Sequence, residues 1–182
     1  MVSSQVQNAR SGVFIDASNI FWGAREADFR IDFTKLKEYL DARFSPTFLN
    51  YYCCEDENPS TPEFARRAEG QKDFHNLLEG IGYSVIRKPL KHIKGGGTKC
   101  DVDVDIAVDL RNYEDDIDCI ILFSGDSDYL PMVEYYWKAG KFIRIFSYEE
   151  LLSWELKTFG IKHPRCNYKI LNEIRSEIEF KN

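Results

Sequence analysis

Five short apolar runs recur along this chain, at residues 12–17, 48–53, 83–87, 117–123 and 142–146, and the stretches between them carry helical periodicity. Strands that are apolar on both faces belong in sheets covered on both sides. Alternation with helices at this spacing predicts a mainly parallel sheet wrapped by helices on both faces. GVFIDA at 12–17 reads as a buried first strand carrying Asp16 at its C-terminal end, with a helix following from Ser18. Phe33, Leu36, Leu40 and Phe44 predict a helix over 33–44, closed by Pro46, and a longer helix over 63–78 stops at Gly80 and Gly82. Helices are also expected over 102–112 and over 130–139, the latter capped by Gly140. One domain over 1–182 follows, with 1–11 as a short N-terminal arm and 167–182 as a C-terminal helix packed on it.

Ligands of such sheets sit beyond the carboxyl ends of the strands, at the switch point of the strand order. Aspartates occupy those positions: Asp16 after VFI, and Asp126 with Asp128 after CIILF. A further set, Asp101, Asp103, Asp105 and Asp109, lies at the start of the helix before the fourth strand. On that helix Asp101, Asp105 and Asp109 share a face while Asp103 lies nearly opposite Asp105, so they cannot all line one pocket. Between 101 and 128 stand ten acidic residues and one basic residue, Arg111, a charge of −9 that leaves +3 on the rest of a chain whose net charge is −6. The negative charge is thus local and does not exclude a polyanionic partner.

Carboxylates gathered without basic partners repel one another, and a bound cation relieves that cost. Oxygen-only ligation points to Mg2+ or Mn2+, because zinc would favour histidine and cysteine. With His75, His92 and His163 scattered through the chain, histidine acid/base chemistry is poorly supported. Metal-held carboxylates suit phosphodiester hydrolysis. The connection RKPLKHIKGGGTK supplies Arg87, Lys88, Lys91, Lys94 and Lys99 on a glycine-containing flap, placed to meet a phosphate backbone, and Phe21, Trp22 and Tyr129 could stack on bases. Each signal also has a plainer reading. Asp16 is an ordinary helix cap, and SGDSD an ordinary turn.

FIDASN at 14–19, VDVDIAVD at 102–109 and SGDSDY at 124–129, in this order, resemble the NYN branch of the PIN-like nuclease superfamily, particularly its bacterial LabA-like members. The resemblance implies a Rossmann-like three-layer α/β sandwich and Mg2+- or Mn2+-dependent ribonuclease chemistry, most naturally on single-stranded RNA. It also implies an acidic pocket in which Asp16, Asp103, Asp126 and Asp128 are catalytic and hold the metal. Asn19, Asp109 and Ser124 support them, and pairing of two copies stays open. Cys100 and Asp101 stand where the family carries lysine and glycine, with Lys99 displaced by one, and Ser153 with Leu156 fits the family's SxxL pattern.

A von Willebrand A metal motif would need serine at Ile20, and a phosphoaspartyl phosphatase would need aspartate at Ser18, so both are disfavoured. A PIN-like domain that binds RNA or protein without cutting is the stronger alternative. MVSSQVQNAR lacks the apolar core of a secretory signal and no apolar run approaches the ~20 residues that span a bilayer, so a cytoplasmic chain with no membrane partner is expected. Five cysteines without a CxxC pair suggest neither a disulfide framework nor a zinc knuckle, and most are expected to be small buried hydrophobes.

Overall fold

The computed structural model describes residues 9–93 and 97–181. Its first half contains β1 (Ser11–Asp16), α1 (Ala17–Glu26), α2 (Phe33–Phe44), β2 (Phe48–Glu55), α3 (Pro62–Gly80), β3 (Ser84–Pro89) and the short strands β4 (Lys91–His92) and β5 (Thr98–Lys99). The second contains α4 (Asp103–Asn112), β6 (Cys119–Phe123), α5 (Leu130–Lys138), β7 (Phe142–Ser147), α6 (Trp154–Lys162), β8 (Cys166–Ile170) and α7 (Arg175–Ile178).

Six strands form one sheet in the order β3-β2-β1-β6-β7-β8, every neighbour parallel, while β4 and β5 pair as a separate antiparallel hairpin. Period-two alternation explains why the sheet is covered twice. Val13, Ile15, Ile121 and Phe123 enter one core with α1, α2, α3 and α7, whereas Phe14, Ile120, Leu122 and Ile145 enter the other with α4, α5 and α6. Removing each such apolar side chain from water contributes about 1.5–3 kcal/mol, and β6 is buried along its whole length. The expected three-layer α/β sandwich is therefore the fold.

Local chemistry sets the helix ends. Asp32 accepts the Thr34 and Lys35 amides at the start of α2, and Thr61 with Pro62 begins α3. Gly140, expected to stop α5, sits at φ +89°, a conformation that glycine adopts without steric cost.

The chain's end departs from expectation. Residues 166–170 are not helical but form β8, paired with β7 from Ile143 opposite Cys166 to Ser147 opposite Ile170. A 3-10 turn, Leu171–Ile174, and the single-turn α7 follow. Five strands would leave the edge of β7 open, and that edge recruits a segment whose helical spacing starts only at Leu171. The first part of the expected N-terminal arm, residues 1–8, lies outside the described residues, and Ser11 already belongs to β1. Among the described residues no helix is long and apolar enough to cross a membrane.

Candidate metal centre

The chain runs outward from β1 to β3, returns to the centre at β6, and runs outward again to β8, so the switch point lies between β1 and β6. Ile15 pairs with Phe123, which places Asp16 beside the segment 124–128 at the carboxyl ends of both strands. This is where the acidic side chains gather.

Asp16 is 4% exposed and caps α1. Its Oδ1 accepts the Ser18 amide at 3.0 Å, the Ser18 hydroxyl at 3.1 Å and the Asn19 amide at 3.2 Å, while Oδ2 accepts the Ser124 hydroxyl at 3.3 Å. Burial pushes its pKa up and these hydrogen bonds oppose the shift. The buried Ser124 hydroxyl in turn accepts the Asp126 amide at 3.3 Å, and Asn19 Oδ1 accepts the Gly125 amide at 3.0 Å. Asp126 accepts the Asp128 amide at 3.0 Å and so starts the 3-10 turn Ser127–Tyr129. Helix-capping and turn roles are thus compatible with a shared pocket.

Asp103, the first residue of α4, reaches the same pocket and accepts the Tyr129 hydroxyl at 2.6 Å. Burial, with Asp101, Asp16 and Asp126 adding charge of the same sign, pushes its pKa up to about 6 against the Tyr129 hydrogen bond. One carboxylate oxygen from each of Asp103, Asp126 and Asp128 lies within 4.8 Å of the others. None of the three enters an ion pair among the described residues. Asp16 lines the same open pocket, of about 570 Å³, but stands outside that trio, with both of its oxygens engaged by the α1 cap and Ser124.

Other expected site residues are placed elsewhere. Asp109 does not line the pocket; two turns along α4, it accepts the Tyr52 hydroxyl at 2.9 Å. Arg87 is drawn to Glu79 at 2.7 Å and Glu55 at 3.8 Å, because the alternation of β3 turns it toward α3. Lys88, on the other face, pairs with Asp105 at 2.5 Å and also donates to the Asp101 carbonyl. Lys91 lies opposite Lys99 on the hairpin, Lys99 lines the acidic pocket, and Lys94 lies outside the described residues. Tyr129, one of the aromatics that could stack on bases although core packing is their commoner role, is 2% exposed and donates its hydroxyl to Asp103.

Three features went unread in the sequence. Cys54 and Cys100 form a disulfide with Cα atoms 6.1 Å apart, correcting the expectation of none; Cys53, Cys119 and Cys166 are buried thiols. The bond joins the end of β2 to the residue that lines the pocket ahead of Asp101 and Asp103. The 46-residue separation hides the pairing, which only the return of the β4–β5 hairpin toward β2 makes possible. The second feature is the contact that Ser153 of the SxxL pattern makes: besides capping α6 through the Leu156 amide, its own amide donates to the Gly125 carbonyl at 2.9 Å, tying the loop after β7 to the pocket. The third is the space at Gly125 itself.

A Cβ added at Gly125 would collide with the Leu151 carbonyl and the Ser147 hydroxyl. Gly125→Ala is therefore expected to lower the thermal midpoint by roughly 5 °C, from an overpacking cost of about 1–3 kcal/mol, and to weaken Mn2+ binding by displacing Asp126. Thermal unfolding and calorimetric Mn2+ titration check this; an unchanged midpoint would refute the close packing.

The NYN domain family model matches residues 10–159, a span that holds every residue of the acidic pocket. The chain is 27% identical over 177 residues to "Low amplitude and bright protein LabA" of Synechococcus elongatus, covering 94% of this chain and 88% of that protein. A crystal structure of a protein of unknown function from Vibrio parahaemolyticus matches 99% of this chain and 100% of that one. Its TM-score is 0.75 at 23% identity, a likeness of fold.

Proposed function

Because this chain belongs to the NYN domain family, we propose that it is a divalent-metal-dependent nuclease that hydrolyses phosphodiester bonds of single-stranded RNA. NYN domains are PIN-like nuclease domains, which gives the chain a nuclease-like role. The observation that supports metal-dependent hydrolysis is the trio Asp103, Asp126 and Asp128, three carboxylates within 4.8 Å and without a cationic partner among the described residues.

The donor set is all oxygen, which fits Mg2+ or Mn2+ better than zinc. When bound, such a cation supplies Lewis acidity toward a phosphate and an activated water. Asp103, Asp126 and Asp128 would hold it, and Asp16 adds negative charge at the pocket wall. Tyr129 fixes the orientation of Asp103, while Ser124 ties Asp16 to Asp126. Lys99, on the pocket rim, is placed to meet an incoming phosphate.

Incubating the protein with labelled single-stranded RNA and a matched DNA tests the reading. RNA cutting is expected with Mn2+ or Mg2+, none with chelator, and none by Asp126→Asn. Chelator-resistant cutting, or a variant as active as the parent, would overturn it. A second reading, a silent RNA- or protein-binding regulator, is favoured by Cys100 and Asp101, which stand where the family carries lysine and glycine. Intact RNA that is nonetheless bound would select that second reading.

A further inference from the structure

A trench leads away from the acidic pocket between α1, α3 and the β4–β5 hairpin. Its near part shares Ser18, Trp22, Cys100 and Val102 with the pocket, and its far part, of about 850 Å³, is lined by Phe21, Arg25, Phe64 and Arg67. Two helix faces build it. On α1, Ile20 and Gly23 face the sheet, which turns Phe21, Trp22 and Arg25 outward; on α3, Phe64, Arg67 and Gln71 fall on one stripe. Over its first three turns α3 buries almost nothing, so this wall projects beyond the sheet.

Large aromatic side chains on a soluble surface need a reason. Phe21 is 57% exposed, Trp22 52% and Phe64 46%, and all three line this trench. Each lies beneath an arginine: Arg25 is 5.0 Å from the Trp22 ring and 5.9 Å from Phe21, and Arg67 is 5.8 Å from Phe64. Arg25 enters no ion pair among the described residues, whereas Arg67 also reaches Glu63 at 2.6 Å. Open aromatic faces interleaved with guanidinium groups are the chemistry of single-stranded nucleic acid, offering a stacking surface for each base and positive charge for the phosphates. A duplex keeps its base faces stacked and cannot use such surfaces.

We propose that this trench is the track of the single-stranded RNA, with Phe64 and the Phe21–Trp22 pair stacking on successive bases and Arg25 and Arg67 contacting the backbone leading to the acidic pocket. This rests on the nuclease reading above, since that reading makes RNA the occupant. Bases should be read by their faces, so binding should depend little on sequence.

The test separates binding from cleavage. Affinity for a fluorescent single-stranded RNA is measured by anisotropy in chelator, and cleavage kinetics are measured separately with Mn2+. Trp22→Leu and Phe64→Leu keep an apolar side chain but remove the stacking face; each is expected to weaken binding about tenfold, and the pair by more. For Phe64→Leu, remote from the acidic pocket, loss should appear in KM with kcat little changed; thermal midpoints of both variants should match the parent, and a duplex of the same sequence should bind more weakly. Variants that bind and cut like the parent would overturn the track while leaving the nuclease standing. Binding lost in the variants of a protein that cuts nothing would keep the track and remove the nuclease.

Discussion

Asp103→Asn is expected to reduce metal-dependent RNA cleavage by on the order of 10²–10³-fold while raising the thermal midpoint of the metal-free protein by a few degrees. The two effects share one cause. Asp103 is half-buried beside Asp101, Asp16 and Asp126, which with burial push its pKa up to about 6 from an unfolded value of 3.8. Because the folded pKa is the higher one, the stability that this group contributes is fully present below about 4 and is lost as pH rises through about 6. At neutral pH the metal-free protein therefore carries an ionised Asp103 at a cost. Asparagine removes that charge and still accepts the Tyr129 hydroxyl.

The gain should be about 1 kcal/mol once solvent screening of a partly exposed group is allowed for. It should disappear at pH 4, where the parent's carboxylate is already protonated. Adding Mn2+ should reverse the ranking, because ligand binding stabilises the parent and not the variant. Thermal scans at two pH values in chelator, repeated with Mn2+, and a cleavage assay read all of this. A variant less stable than its parent at neutral pH in chelator would sink the repulsion argument, and full activity would remove Asp103 from the metal's ligands.

Opening the Cys54–Cys100 bond is expected to lower the thermal midpoint by about 10 °C. In the chain-entropy account, closing a loop of this length is worth about 4 kcal/mol, and strain or residual structure in the unfolded chain would reduce the figure. The loss should not stop at stability, since Cys100 stands between Lys99 and Asp101 on the pocket rim. Its release frees the entry to α4 and with it the position of Asp103. Reductant should therefore also weaken Mn2+ binding in the parent, and Cys100→Ser should start from the lowered midpoint and ignore reductant. A parent whose midpoint does not move with reductant would show that the bond constrains nothing.

The legible parts of this molecule are those where one residue type can do only one thing locally. Phe33, Leu36, Leu40 and Phe44 mark α2 to the residue, and VFI before Asp16 and CIILF before Ser124 mark the two central strands. Both strands are buried on both faces, so their apolar runs are unbroken. What sequence hid depends on neighbours distant along the chain. CNYKI at 166–170 lies on the sheet's edge, half polar, and becomes a strand only because β7 offers an open edge. The ion pairs of Arg87 and Lys88, and the Asp109–Tyr52 contact, are set by which face of β3 or α4 each side chain leaves from. Carboxylates at strand ends could be found by reading; the tyrosine that orients one of them could not.

The strand order also governs how this protein comes into being on the ribosome. β1 lies at the middle of the sheet, yet its partner β6 is encoded far downstream: Val13 pairs with Ile121, 108 residues later. At 5–20 residues per second, roughly 5–20 s pass between the synthesis of one and the other. During that time the N-terminal half can assemble only β1, β2 and β3, with one edge of β1 unpaired and apolar on both faces, a template for unwanted pairing. Contacts so distant in sequence also slow the closing step. For the nuclease proposed above, the same delay has a protective side, because Asp16 is made early whereas Asp103, Asp126 and Asp128 arrive with the second half. A nascent chain therefore holds no complete acidic pocket beside its own messenger until the sheet has closed.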